Sequence, residues 1–384
     1  MKRMPQDRGR DYNGPGSVVL GFFDPTLPQR ADAWLSEHHG TFEVGVVQRA
    51  RIVARLLAGG RVSGQRLADE LRVSRAAVHK HVDVLRGLGV RLSSIPGAGY
   101  ELSSPLDILA PEIVLPLLAS RATPFGAPFL YRAEVGSTNV VAQEAARSGA
   151  PHGAVAVTDF QSSGRGRLGR GWTSEPGLDL TFSVVLRPEL GPQSVSRLTL
   201  AASVAVADTI LTLGDLDGRV SVKWPNDVLV DGRKVCGILS EAALDMDRLH
   251  WVVVGVGLNV NGTPASGVAP RDLPPGAPSP ISLREARGSF TPRTPLLVEL
   301  VEALGSVFAS VEGEGWGRVL GRLRALDALR GQRVDVRAGT GGGDPVLSGV
   351  AHGLAADGSL LVKDDSGAVH EVISGDVTLR PTSR

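Results

Sequence analysis

Apolar residues recur at helical spacing near the start of the chain, at Val46, Val47, Ile52, Val53, Leu56 and Leu57, and Gly59-Gly60 closes the segment. Ser63 can cap a second helix running to Leu71, and Ser74 a third from Arg75 to Leu88, because a serine hydroxyl accepts from the free N–H groups of a first turn. These helices and the tight Arg72-Val73-Ser74 connection predict a helix-turn-helix. Short alternating pieces at 90–92 and 100–102 flank Pro96-Gly97-Ala98-Gly99, which predicts a β wing. Further along the pattern changes. Strand-like runs at 154–157, 180–186, 220–224, 228–230, 235–239 and 251–256 alternate with a long apolar helix at 195–213 and a helical region at 294–329, an α+β pattern with a mixed sheet. From 331 to 380 the runs are short, alternate in polarity and are separated by Gly and Asp turns, as expected of a small SH3-like β barrel.

This reading divides the chain into an extension over 1–44, a winged helix-turn-helix over 45–103, a linker over 104–128, a central α+β domain over 129–330 and the barrel over 331–384. The extension is rich in Gly, Pro and charge, so it is expected to be disordered. The linker carries Pro105, Pro111, Pro116, Pro124 and Pro128 around short apolar pieces, with room for one short helix.

Charge separates these parts. Over all 384 residues, 41 Lys+Arg against 40 Asp+Glu leave a formal net charge of +1, so no global attraction to polyanions is expected. Between Arg49 and Arg91, however, ten basic residues face three acidic ones, a local surplus of seven. Ser74, Arg75, His79 and Lys80 at the start of the third helix are placed to reach phosphates and base edges in a major groove. A winged helix used only for protein contacts is the competing reading. No continuous apolar run approaches the roughly 20 residues of a membrane helix. The basic first residues lack the apolar core of a secretory signal. A cytoplasmic protein is expected. The single cysteine, Cys236, cannot form an intrachain disulfide, which fits a reducing compartment, and it reads as a buried apolar residue.

The candidate chemistry centres on Gly164-Arg165-Gly166-Arg167-Leu168-Gly169-Arg170-Gly171-Trp172. Glycines let backbone N–H groups approach an oxyanion, and guanidinium groups supply charge and paired donors, so this loop suits a small anionic ligand. Five further clusters accompany it. Ser137-Thr138-Asn139 either faces a ligand or merely caps the helix it opens. Gln161 offers an amide to a neutral polar group. Lys223-Trp224-Pro225-Asn226-Asp227 projects a cation from an apolar strand end, where an ammonium acts strongly on developing charge, and Asp227 is placed to ligate Mg²⁺. Lys234 with Gly237 adds a second lysine and a site of close approach. Asn259, after Gly255-Val256-Gly257, can read a base, although these glycines lack the spacing of a full dinucleotide fingerprint.

In this order, and behind a winged helix, these motifs resemble the bifunctional biotin protein ligases that double as biotin operon repressors. The resemblance runs from about Val46 to Arg380, including Ser74-Arg75-Ala76-Ala77-Val78-His79-Lys80-His81 and the wing. It implies two steps: biotin and MgATP give biotinyl-5′-AMP and pyrophosphate, then a lysine of a carboxylase biotin-acceptor domain attacks the mixed anhydride. It also implies residue roles. Ser137, Thr138, Asn139, Gln161, Arg165, Gly166, Arg167, Lys234 and Gly237 would bind biotin. Arg165, Arg167, Arg170, Trp172, Lys223 and Asn259 would bind ATP and the adenylate, and Lys223, Arg167 and Lys234 would serve catalysis. Loop 261–280 would cover the adenylate, and a homodimer would bind operator DNA. Leu168 and Gly171 depart from the family, since a basic residue often stands there. The alternative is a regulator that binds the adenylate with little turnover; the intact lysines and loop arginines weigh against it. Lipoate ligase chemistry on the same scaffold is disfavoured by the Gly/Arg loop.

Overall fold

The computed structural model describes residues 24–102, 107–121, 123–245, 248–264, 276–312, 315–337 and 344–379. It begins with α1 (Leu27–Glu37), which buries Leu27, Ala31 and Leu35. The expectation of a disordered extension reaching residue 44 is therefore corrected for residues 24–44; residues 1–23 lie outside the described residues. Three apolar positions four residues apart make a stripe narrow enough to be lost among Gln29, Arg30, Asp32 and Glu37 in the sequence. Asp32 pairs with Arg51 at 3.3 Å and with Arg55 at 2.8 Å, tying α1 to the next helix.

That helix, α2 (Val44–Gly59), leads to α3 (Gly64–Leu71), α4 (Arg75–Gly87) and the antiparallel wing of β1 (Leu92–Ile95) and β2 (Gly99–Leu102). Ser63 accepts from Arg66 N and Ser74 from Ala77 N, each at 3.1 Å, so both expected caps are made. Ile52, Leu56, Leu67, Val78, Val82 and Leu85 form the core of this unit. The short helix expected in the linker is α5 (Pro111–Ala119), but it is a buried wall and not a tether. Its Ile113 joins the winged-helix core while Val114, Leu115 and Leu118 join the main core, and Glu112 pairs with Arg49 at 2.8 Å. An apolar helix serving two cores explains the continuous hydrophobicity that hides its period.

The central domain contains β3 (Phe129–Val135), α6 (Thr138–Arg147), β4 (Val155–Gln161), the two-residue pair β5 (Gly164–Arg165) and β6 (Gly171–Trp172), and β7 (Leu180–Leu186). After α7 (Ser194–Leu211) come β8 (Val220–Lys223), β9 (Asp227–Val230), β10 (Arg233–Asp245), β11 (Arg248–Leu258), α8 (Leu283–Arg287), α9 (Arg293–Glu312) and α10 (Trp316–Leu326). Seven strands form one mixed sheet in the order β3-β4-β7-β11-β10-β9-β8; only β3 and β4 run parallel. Alternation assigns the faces. Val155 and Val157 point into the main core with α7 and α9, whereas Ala154 and Ala156 join a smaller cluster with Ala142 and Ala146 of α6. Both α7 and the Arg293–Val311 stretch of α9 are long and apolar enough to cross a membrane, which reading for continuous apolar runs did not show. Most of each is buried in the core, and that burial accounts for the composition.

The chain ends in a five-stranded antiparallel sheet, β12 (Arg333–Arg337), β13 (Leu347–Leu354), β14 (Leu360–Lys363), β15 (Val369–Val372) and β16 (Asp376–Leu379), in the order β15-β14-β13-β12-β16. It is fastened to the central domain by Trp224 Nε1 donating to Gly358 O at 3.1 Å and Arg324 donating to Leu354 O at 2.8 Å. This attachment brings the start of β16 to the edge of the central sheet's pocket.

Candidate active site and nucleic-acid face

Six separated motifs meet in one cleft of about 360 Å³. It is lined by Ser137, Thr138, Asn139, Gln161, Arg165, Gly166, Arg167, Arg170, Trp172, Lys223, Asp227, Lys234, Gly237 and Asn259, together with Asp376 from β16. One wall is a continuous hydrogen-bond chain. Gln161 Oε1 accepts from Thr138 N at 2.7 Å and from Thr138 Oγ1 at 3.1 Å. Ser183 Oγ donates to Asn139 Oδ1 at 2.7 Å and stands 2.8 Å from Thr138 Oγ1. Asn139 Nδ2 donates to Glu241 at 2.6 Å. The capping reading of Ser137 is not what the structure uses: Ser137 occupies the N-cap position of α6 but its side chain makes no cap hydrogen bond. Its buried hydroxyl lines the cleft instead. Gly255 explains how Asn139 reaches β10, because a Cβ there would stand 2.0 Å from Asn139 Oδ1. A Cβ at Gly257 would likewise fall 2.4 Å from the Trp172 ring.

The cations of the cleft differ in their partners. Arg165 pairs with Glu241 at 3.1 Å, Arg170 with Asp376 at 3.0 Å, and Lys234 with Asp227 at 2.6 Å. Arg167 donates to Asn226 Oδ1 and to Gly375 O, each at 3.1 Å, which docks the Gly/Arg loop onto the C-terminal sheet. Lys223 is 4% exposed and its side chain makes no hydrogen bond or ion pair among the described residues. Burial pushes its ammonium below the ordinary lysine value despite the carboxylates of Asp227 and Asp376 farther off. Burial alone would raise Asp227, but Lys234 and Lys223 outweigh it and hold the carboxyl below its usual range. Asp227, expected to take Mg²⁺, is thus engaged by Lys234 here. Among the described residues no three His, Cys, Asp or Glu side chains gather to hold a metal. Mg²⁺ commonly enters with substrate phosphates and one or two carboxylates, a mode a single Asp227 suits.

Trp172 forms a half-buried wall over which Lys234 Nζ sits 5.7 Å from the ring centroid. Asn259 is buried, and its Nδ2 donates to Ile281 O at 3.1 Å, so one of its amide groups serves the fold. Cys236 lies buried on β10, where burial raises its thiol well above the ordinary value and leaves it unreactive. Of loop 261–280, residues 265–275 fall outside the described residues.

On the winged helix, Arg75 and Lys80 are exposed in the first half of α4 with no side-chain partner among the described residues, while His79 pairs with Asp83 at 2.9 Å and Ser74 is used as the cap. Three residues in or directly behind the cleft escaped sequence reasoning as site residues. Asp376 lines it but lies about 200 residues from the loop it pairs with, while Ser183, inside a wholly buried strand, and Glu241 of β10 hold residues that line it. Only Glu241, two residues beyond an apolar strand run, carried a signal: a carboxylate in a strand that faces a cationic loop.

Comparison with known proteins identifies the domains and the family. Residues 132–259 match the Biotin/lipoate A/B protein ligase family, 48–101 the HTH domain and 331–380 the Biotin protein ligase C terminal domain. The bifunctional ligase/repressor BirA of Bacillus subtilis (strain 168) is 32% identical over 319 residues, covering 83% of this chain and 94% of that protein. The protein of the same name from Escherichia coli (strain K12) is 30% identical over 337 residues, covering 87% and 98%. Among solved structures, the biotin protein ligase from Aquifex aeolicus in complex with biotin and ATP superposes with a TM-score of 0.53 at 26% identity, over 66% of this chain and 98% of that one. Fold and cleft together therefore define a protein ligase of the biotin/lipoate class with a helix-turn-helix attached. Within that class, the chain belongs to the family of bifunctional biotin ligase/repressors.

Proposed function

We propose that the cleft joins biotin to MgATP, forming biotinyl-5′-AMP with release of pyrophosphate, and passes the biotinyl group to a lysine of a carboxylase biotin-acceptor domain. In the second step the lysine amine attacks the acyl carbon, AMP leaves, and the amine gives up its proton. The observation that carries this reading is Lys223, a buried ammonium lining the cleft with no partner among the described residues. An isolated buried cation is costly, so its place is best explained by an anion that arrives with the substrate.

The residues divide the work by their chemistry. Ser137, Thr138, Asn139 and Gln161 offer both donors and acceptors on one wall, as a neutral ureido group requires. Arg165, Gly166, Arg167 and Gly237 would complete the biotin side, while Arg170, Trp172 and Asn259 would hold the nucleotide. A biotin carboxylate must approach an α-phosphate that is itself anionic, and Lys223, Arg167 and Lys234 would offset that repulsion and stabilise charge in the transition state. Mg²⁺ would neutralise phosphate charge, with Asp227 able to reach it once Lys234 turns to substrate. Loop 261–280 would exclude water from the adenylate.

The winged helix makes the same protein a repressor. Ser74, Arg75, His79 and Lys80 would face operator DNA, and the adenylate would favour a homodimer whose two-fold axis matches paired half-sites. The buried free thiol fits a cytoplasmic setting. Transfer of labelled biotin to an acceptor domain, with ATP and Mg²⁺, tests the ligase. A mobility shift on biotin-operon DNA, strengthened by biotin and ATP, tests the repressor, and sedimentation with both ligands tests the dimer. Tight adenylate binding without transfer would replace the ligase with a sensor.

A further inference from the structure

Glu241 lies in β10, outside the residues assigned above to substrate. Its Oε2 accepts from Asn139 Nδ2 at 2.6 Å and from Arg165 Nη2 at 3.1 Å. One carboxylate oxygen therefore joins the buried hydrogen-bonded wall to the first arginine of the Gly/Arg loop. Asn139 is locked from its other side by Ser183 at 2.7 Å. Arg165 is different: its side chain is 42% exposed, and Glu241 is its only side-chain partner among the described residues. The remaining loop arginines are held by other groups, Arg167 by Asn226 and Gly375 and Arg170 by Asp376.

We infer that Glu241 is a positioning residue that latches Arg165 to Asn139, and that this latch sets the affinity for biotin. The inference rests on the placement of biotin between the wall and the loop. A bare carboxylate beside an anion-binding cleft would repel its ligand; matched to Arg165 it does not, and the pair instead spends its charge on geometry. Arg165 accordingly acts as a clamp on the loop, with its charge cancelled locally, while Arg167 and Lys223 supply charge to the phosphates. Together with Leu239 O, which accepts from the same Nδ2 at 3.2 Å, Glu241 fixes which way the Asn139 amide faces, because a carboxylate accepts only from Nδ2. That leaves Oδ1 to Ser183 and specifies the polarity of the wall a ureido group would meet.

The test uses the full-length protein and three variants, Glu241→Ala, Arg165→Ala and the double variant, with biotin affinity by calorimetry and KM and kcat from labelled transfer. Loss of a charge-assisted hydrogen bond predicts biotin affinity about tenfold weaker and KM about tenfold higher for each single variant. At saturating biotin, kcat of Glu241→Ala falls by no more than about threefold, because the cations facing the phosphates remain. The double variant is no worse than either single one, since both break the same latch. Glu241→Gln, which keeps an acceptor oxygen, recovers most of the loss. Where Glu241→Ala does not fold, Glu241→Asp, which keeps the carboxylate on a side chain one methylene too short for the pair, takes its place in the cycle with Arg165→Ala. Additive losses, or unchanged biotin affinity in Arg165→Ala, overturn the latch. Absence of transfer by the unaltered protein would instead overturn the ligase reading beneath it.

Discussion

Arg293 and Lys223 are both cations shut away from water, and their surroundings are opposite. Arg293, whose side chain is 3% exposed, opens α9 between Asp107 at 3.2 Å and Asp159 at 2.9 Å, with Asp179 O at 3.4 Å. Burial opposes its charge, yet the two carboxylates hold its pKa above the ordinary arginine value. It gathers the segment after the wing, strand β4 and helix α9 into one knot, and Tyr131 extends the knot by donating to Asp159 at 2.5 Å. Lys223 has comparable burial and no such shell. A cation whose needs are met inside the protein holds the fold; one whose needs are left open is waiting for a ligand. Pairing, more than burial, separates structural charge from functional charge here.

The comparison breaks most visibly at Arg293. Arg293→Ala leaves Asp107 and Asp159 facing each other without their cation, and a loss of about 3–5 kcal/mol in unfolding free energy is expected from removing one partner of a buried pair. Denaturant unfolding measures it, and a loss under 1 kcal/mol would mean the knot is ornamental. A second structural test falls on α1. Leu35 is fully buried, so Leu35→Ala is expected to cost about 2–5 kcal/mol by lost transfer energy and a residual cavity. A negligible change would restore the reading of a dispensable extension.

Lys223 predicts two effects of opposite sign. Lys223→Met should lower adenylate formation at least about tenfold, roughly 1.4 kcal/mol or more of transition-state stabilisation. The same change should raise stability by about 0.5–2 kcal/mol, the usual gain when a strained functional group is relieved. The pH dependence follows from the depressed pKa. The folded protein binds the Lys223 proton more weakly than the unfolded chain does, so this site costs stability wherever the pH keeps the group protonated in both states. That cost shrinks as pH rises from the lowered value towards that of an ordinary lysine, and the melting temperatures of variant and parent should converge there. Parallel melting curves across that range would show that Lys223 carries no such strain.

How much of this was legible beforehand depends on the reach of the interactions. Capping is local, so Ser63 and Ser74 placed α3 and α4 correctly from sequence alone. The cleft motifs were also legible, since each is a short run whose composition is odd for a strand or turn. Long-range pairings were not. Arg167 meets Gly375 across 208 positions, and Arg293 meets Asp107 across 186, with nothing in either local pattern to announce the partner. The short helix α5 was expected, but its role as a shared wall was hidden for a different reason: buried on every side between two cores, it shows no polar face from which its packing could be read.

The smallest effects belong to the winged helix, where the same criterion sorts the charges again. Arg55 on α2 is buried and fully paired, with Asp32 of α1 at 2.8 Å and Glu70 of α3 at 2.6 Å, so it belongs to the fold. Lys80 on α4 is exposed with no side-chain partner among the described residues, and the proposed operator contact gives it a phosphate. Lys80→Ala should leave stability within about 0.5 kcal/mol, as exposed surface changes do, while lowering the salt dependence of operator binding by about one phosphate contact. Ser74→Ala should do the reverse. Its hydroxyl is already committed to Ala77 N, so the substitution removes a cap worth about 1 kcal/mol and changes the salt dependence little. A Ser74→Ala variant of unchanged stability that binds DNA with a lower salt slope would move Ser74 from the fold to the interface, and pairing would fail as the criterion on this face of the molecule.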